Sequence, residues 1–255
     1  GHDVLATDVA PRLPDCPAPF TRADLTDYGQ SAEILAGVDA VAHLANIPAP
    51  GLFTAAHTLN ANNAMNSNVF LAAADRNLRR VVWASSETTL GLDFDVPPRY
   101  APVDEAHYPF PTTTYALSKV VAEAMAEQVS AWSGIPFVAL RLSNVLDPED
   151  YRAFPSYWPD ARARKWNLWS YIDARDAAAA FRCALEASTS GAVSAIVAND
   201  DTVMDRPSVQ LLHEVFPGVE LTREIDTYQS LFANDRAKQL FAWRPTHSWR
   251  QELAS

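Results

Sequence analysis

Apolar runs of strand length alternate with stretches of helical period along the 255 residues. Val4-Leu5-Ala6-Thr7-Asp8 reads as a buried parallel strand ending in an acid. Val38 to Asn46, Val81 to Ser86, Phe137 to Leu142 and Ala192 to Ala198 are further strand-like runs. Between them the spacing predicts helices over 28–36, 57–75, 114–132 and 174–187, the first ending at Gly37 and the third at Gly134, before Pro136. Val209–Phe216 and Thr227–Phe241 read as amphipathic helices. Strands alternating with helices in this way predict an α/β fold with a parallel sheet. The 114–132 helix carries Leu117, Val120, Val121, Ala124, Met125, Val129 and Trp132. That band is wider than one sheet-facing stripe, so a second buried face against a partner helix is expected.

Composition narrows the function classes. At 48% apolar residues the chain can bury a full core, as one large or two small domains. A net charge of -11 argues against a nucleic-acid binder or a polybasic membrane-surface protein. No apolar run approaches the roughly 20 residues of a membrane span. Cys16 and Cys183 have no metal-ligand spacing and make no disulfide framework, so no metal site is expected and a reducing cytoplasm is the default.

The chemistry concentrates around Tyr115-Ala116-Leu117-Ser118-Lys119. Four residues apart on a helix, the phenol and the ammonium face the same way from adjacent turns. A Lys⁺ beside a Tyr favours the phenolate, which can then take a proton from a substrate hydroxyl near neutral pH. With 8 Tyr and few Lys, such a pair arises by chance about one time in ten, so its neighbours matter. Upstream, Val81-Val82-Trp83-Ala84-Ser85-Ser86 is an apolar strand ending in hydroxyls. Glu87-Thr88-Thr89-Leu90-Gly91 follows, then a Pro-rich loop from Pro97 to Pro111, then the Tyr–Lys helix.

This order resembles the extended short-chain dehydrogenase/reductase superfamily, specifically the NAD-dependent epimerase/dehydratase family. The resemblance runs the whole length and is sharpest between Ala40 and Asn144. It implies a doubly wound, Rossmann-like parallel sheet with a small C-terminal substrate lobe. Residues 1–145 would be the dinucleotide-binding domain, with 171–199 returning to it, and 146–170 and 200–255 the lobe. Ser86, Tyr115 and Lys119 would be the catalytic triad. Val4–Asp8 would be the second strand of such a sheet. The first strand and its Gly-rich phosphate loop are absent, and no Gly-x-x-Gly-x-x-Gly or Gly-x-Gly-x-x-Gly occurs. The expectation is therefore that the native protein carries residues before Gly1, and that these 255 residues alone would not fold as a soluble monomer.

The resemblance also implies an NAD site. Asp8 would accept hydrogen bonds from the adenosine ribose and repel a 2′-phosphate. Asp24 and Leu25 would lie near the adenine, with a helix cap at Thr26 or Asp27 compatible with that role. His43-Leu44-Ala45 matches the family's strand end, with Leu44 and Ala45 near the cofactor and His43 packed as core. Of the Asn-rich run in helix 57–75, Asn63 would face the cofactor, and Tyr115 and Lys119 complete the set. For the substrate, a small carbohydrate, the candidates are Glu87, Ser143, Asn144, Arg152, Trp158 and Arg175. Asp147–Ser170 is rich in aromatic and Arg side chains, which suit sugar rings and carboxylate or phosphate groups, or pack as a lid. Two departures matter. Leu146-Asp147-Pro148 replaces the family's Gly-Pro, and Ser86 is followed by Glu87-Thr88 rather than the Asp-Glu of dehydratases. A homodimer through helices 57–75 and 114–132 is implied. The expected activity is hydride transfer between NAD and a hydroxyl-bearing carbon of a sugar, sugar acid or sugar nucleotide. The rival reading is a non-catalytic NAD-sensing or scaffold protein.

Overall fold

The computed structural model describes residues 1–12, 15–91, 96–107 and 109–253. In the loop predicted from Pro97 to Pro111, Tyr108 lies outside the described residues. The elements in chain order are β1 (Ala6–Asp8), β2 (Phe20–Arg22), α1 (Tyr28–Ile34), β3 (Ala40–His43), α2 (Ala55–Asp75) and β4 (Arg80–Ser86). β5 (Tyr100–Ala101), α3 (Thr114–Ser133), β6 (Phe137–Leu142), β7 (Val145–Leu146), β8 (Ile172–Asp173) and α4 (Ala174–Glu186) follow. The chain closes with β9 (Ala192–Val197), α5 (Ser208–Val215), β10 (Glu220–Leu221), α6 (Asp235–Phe241) and α7 (Trp249–Glu252). The fold is α/β with parallel strands, as the alternation predicts. β3, β4, β6 and β9 form a four-stranded sheet in that order, and β1 pairs in parallel with β2, Asp8 opposite Arg22. β3 pairs in parallel with β4, from Ala40 opposite Arg80 to His43 opposite Trp83.

Two compact units divide the chain. The first comprises Gly1–Trp83, Thr113–Phe137 and Ser190–Ala192. Its centre is an edge-to-face cluster in which Phe70 of α2 meets Trp83 and Phe137 at centroid distances of 5.5 and 5.1 Å. α3 starts where Thr113 caps the Ala116 N–H and stops at Gly134, whose φ of 76° is left-handed backbone that glycine adopts freely. α1 is capped by Asp27, which accepts from the Gln30 N–H at 2.8 Å. Part of the apolar band on α3 is open rather than buried. Val121, Met125 and Trp132 line an open groove of about 480 Å³ with Phe70 and Leu71 of α2, and Trp132 is 66% exposed.

The second unit comprises Ala84–Thr112, Val138–Thr189 and Val193–Ser255. Its core is aromatic: Tyr151, Phe154, Trp169, Tyr171 and Trp249 are all buried, and Phe154 meets Tyr171 and Trp249 edge-on. The aromatics of 147–170 thus largely pack on one another and on residues 198–249. Buried Asp176 of α4 anchors the closing segment, accepting from the backbone N–H groups of Thr246 and His247.

Several boundaries differ from expectation, and two are instructive. Val4 and Leu5 are exposed, so the first strand is confined to Ala6–Asp8. The helix predicted over Thr227–Phe241 begins only at Asp235. Residues before it spend their backbone groups on bridges: Leu231 accepts from the Val103 N–H, the Ala233 N–H donates to Val103, and the Ser230 N–H donates to Asp200. Pairing at long range outweighs the helical period there. Among the described residues no helix is long and apolar enough to cross a membrane.

Candidate active site

Two clusters of polar side chains carry the candidate chemistry, one in each unit. In the first unit, Tyr115 and Lys119 share one face of α3, the Lys119 Nζ lying 5.5 Å from the centroid of the Tyr115 ring. Lys119 is 2% exposed, and burial pushes its ammonium from an ordinary value of 10.5 down to about 7. Its Nζ donates to the Asn46 Oδ1 at 2.6 Å. The Asn46 Nδ2 donates to the Asn66 Oδ1 at 3.0 Å, and the His43 Nε2 meets that same oxygen at 2.9 Å. His43 is buried, as expected. Burial foremost, with the nearby Lys119 charge, pushes its imidazole down to about 4, so it stays neutral.

The Asn-rich run on α2 is a set of clamps on the loops beside it. The Asn62 Oδ1 accepts from the Ile47 N–H at 2.8 Å, and its Nδ2 donates to the Ile47 carbonyl and to Ser118, at 3.2 Å in each case. Ser118 in turn donates to the Tyr115 carbonyl at 2.7 Å. The Asn68 Nδ2 donates to the Leu25 carbonyl at 2.9 Å. Asn62 and Asn66 lie one turn apart, the spacing that would have separated them from Asn63. Asn63 is half-buried, and its Oδ1 has no partner. The buried Nδ2 of Asn66 also lacks one, at a cost of about 1–3 kcal/mol.

The remaining cofactor candidates lie on loops of the same unit. Asp8 is exposed, its Oδ1 accepting from the Ala10 N–H at 2.8 Å. Asp24 is exposed and folds onto the backbone N–H and hydroxyl of Thr26, bonds that hold its carboxyl below the ordinary value. Leu25 is buried, Leu44 is 59% exposed and Ala45 is half-buried.

In the second unit, Ser86 ends β4 and caps the short 3-10 turn Glu87–Leu90, its Oγ accepting from the N–H and hydroxyl of Thr88 at 3.2 and 3.0 Å. Glu87 is 2% exposed and accepts from the Ser143 hydroxyl and from the Asn167 Nδ2. Arg164 donates to the Asn144 Oδ1 at 2.9 Å, its guanidinium lying 5.5 Å from the Tyr157 ring and 5.0 Å from the Trp166 ring. Glu87, Ser143 and Asn144 are therefore brought together, with Arg164 and Asn167, which the sequence reading did not select as site residues. The other three substrate candidates lie elsewhere. Arg152 is exposed on the 3-10 segment Pro148–Ser156. The Trp158 Nε1 donates to the Val203 carbonyl and its ring stacks at 5.5 Å on Trp249. Arg175 pairs with Asp173 at 2.8 Å and Glu252 at 2.7 Å.

A profile of the NAD dependent epimerase/dehydratase family matches residues 1–198. The chain belongs to this family. No curated protein matches at a significant level. Among solved structures, a UDP-galactose 4-epimerase is 25% identical with a TM-score of 0.70, the match covering 99% of this chain and 88% of that one. A glucuronic acid dehydrogenase from Chromohalobacter salexigens is 20% identical with a TM-score of 0.70, covering 99% and 79%. A UDP-glucose 4-epimerase from Thermotoga maritima, crystallised with UDP-glucose, is 17% identical with a TM-score of 0.72, covering 99% and 89%. The family is one of enzymes that work with a nicotinamide cofactor, and these solved structures share the fold. The residues present fit such a group: an exposed carboxylate ends β1, an ammonium stands beside a phenol on α3, and the Asn63 Oδ1 is an unmet acceptor.

Glu87 supplies a test of the second cluster. Burial foremost raises its carboxyl from 4.5 to about 7, with the bonds from Ser143 and Asn167 and the Arg164 charge opposing. A raised carboxyl favours the folded state below its unfolded value and loses that contribution as pH rises through the folded one. Stability contributed by Glu87 is therefore full below about pH 4.5 and gone above about pH 7. Glu87→Gln should flatten this dependence and be the more stable form at pH 8, by about 2–3 kcal/mol relative to the pair's difference at pH 4.5. Urea unfolding of both proteins across that range measures it. Parallel stability curves would contradict the assignment.

Proposed function

We propose that the protein is an NAD-dependent oxidoreductase or epimerase that moves hydride between the nicotinamide and a hydroxyl-bearing carbon of a sugar, sugar acid or sugar nucleotide. The observation that carries this reading is the side-by-side placement of Tyr115 and buried Lys119 on α3. In the proposed mechanism Tyr115 exchanges a proton with the substrate hydroxyl. Lys119, when charged, stabilises the phenolate and binds the nicotinamide ribose. Ser86 hydrogen-bonds the reacting oxygen. Ser143 and Asn144, held by Glu87 and Arg164, orient the carbohydrate, and Arg152, Trp158 and Arg175 are assigned to the same lobe. Asp8 binds the adenosine ribose, with Asp24 and Leu25 at the adenine and Leu44, Ala45 and Asn63 along the cofactor. The bound nicotinamide supplies the hydride acceptor or donor. Residues 1–145 and 171–199 are assigned to cofactor binding, and 146–170 and 200–255 to the substrate. Tyr115→Phe removes only the hydroxyl and should lower kcat by about 10²–10⁴-fold on a substrate accepted by the wild type, with unchanged circular dichroism. Retention of most of the activity would overturn the assignment.

The preference for NAD rests on Asp8, whose exposed carboxylate would repel a 2′-phosphate. Calorimetry should find tighter binding of NAD(H) than NADP(H), with Asp8→Asn narrowing the gap. Equal affinities in the wild type would refute it.

A homodimer through α2 and α3 completes the proposal. The groove between them has no charged side chain in its lining and exposes Leu71 and Trp132, the composition of a homodimer core. Sedimentation should show a dimer that Trp132→Asp converts to a monomer; a monomeric wild type at micromolar concentration would exclude this interface.

A further inference from the structure

The polarity of the chain His43–Asn66–Asn46–Lys119 is fixed from one end. An ammonium can only donate, so the Asn46 side chain must turn its oxygen to Lys119. The Asn46 Nδ2 is then the donor toward Asn66, which must present its own oxygen. That oxygen is also met by the His43 Nε2, so His43 carries its proton there. The Asn66 Nδ2 is left buried without a partner, which is the arrangement expected if the oxygen is the atom this side chain is there to place. Each link comes from a different element: the end of β3, the loop after it, α2 and α3.

We propose that Asn46 and Asn66 are positioning residues for Lys119, two amides pinned by His43 that orient the ammonium and keep it charged at a buried site. An acceptor on the charged form of a buried base favours that form, so the amide works against the burial that pushes Lys119 down. Titratable groups that face Lys119 include His43 from β3 and Tyr115 from α3. His43 is neutral at working pH and adds no charge of its own. On α2 the facing side chains are amides. The relay therefore sets how much ammonium stands beside Tyr115 near neutral pH. Its consequence for catalysis rests on the proposed function; its effect on Lys119 does not.

The chain has three lysines, Lys119, Lys165 and Lys238, so lysine isotope-labelled at the ε-carbon gives a spectrum in which each can be assigned by substitution. NMR titration of the free protein should show Lys119 ionising far below the ordinary lysine value of 10.5. Asn46→Ala should lower its midpoint by roughly one pH unit, a tenfold change, and Asn66→Ala by less. Asn46→Asp, which keeps the shape and adds a negative charge, should raise it and covers the case in which Asn46→Ala fails to fold. With an active substrate, Asn46→Ala should also move the acidic limb of kcat/KM to higher pH while Asn46→Asp does not. A Lys119 midpoint unchanged in Asn46→Ala and Asn66→Ala, or insensitive to Asn46→Asp, overturns the proposal, whether or not a substrate has been found.

Discussion

A buried ammonium is the constraint on which the first polar cluster depends. Taking a charge such as Lys119 out of water is costly unless the site supplies partners, and the alternative is to lose the proton. Two neutral groups are among its partners, an Asn46 oxygen and the face of Tyr115. The consequence is a base whose charge is only partly secured near pH 7, standing against the phenol that the proposed chemistry needs. That combination gives the helix α3 its meaning. The same helix also packs along α2, whose amides hold the loops after β2 and β3 in place. One helix thus fixes the candidate reacting groups, and its neighbour fixes the loops assigned to the cofactor.

The second cluster is built on the opposite sign. Glu87 is a buried carboxyl rather than a buried amine, and it gathers Ser143 and Asn167 around itself. Arg164 lies against two rings and reaches Asn144. Both clusters place a titratable group in low dielectric, and both shift it toward neutral pH, as groups at working sites commonly are.

Much of this was legible in the residues because it is local. The limits of α3 follow from Thr113 and Gly134, and the Tyr115–Lys119 pairing follows from helical spacing alone. The strand run ending at Ser86 needed only its apolar pattern. What the sequence hid is long-range. Nothing in the period of α2 says that Asn66 rather than Asn63 would meet a loop amide from Asn46, because that depends on where two elements pass in space. Arg164 and Asn167 lie some twenty residues beyond Ser143 and Asn144, and join them only through the path of the intervening loop. Thr227–Asn234 has helical spacing, yet its backbone is taken by bridges to residues far away in the chain. Local propensity loses where tertiary pairing satisfies the same groups.

In the proposed reaction hydride leaves or enters a carbohydrate carbon while Tyr115 handles the proton. Sugars, uronates and sugar nucleotides carrying deuterium at the reacting carbinol carbon test it directly when incubated with the protein and NAD⁺, with mass spectrometry of both cofactor and sugar. For at least one of them deuterium should move to the nicotinamide ring, or return to the opposite face of the sugar, and neither should happen in Tyr115→Phe. Turnover of a sugar in which deuterium stays in place throughout, or exchanges with water, would contradict it.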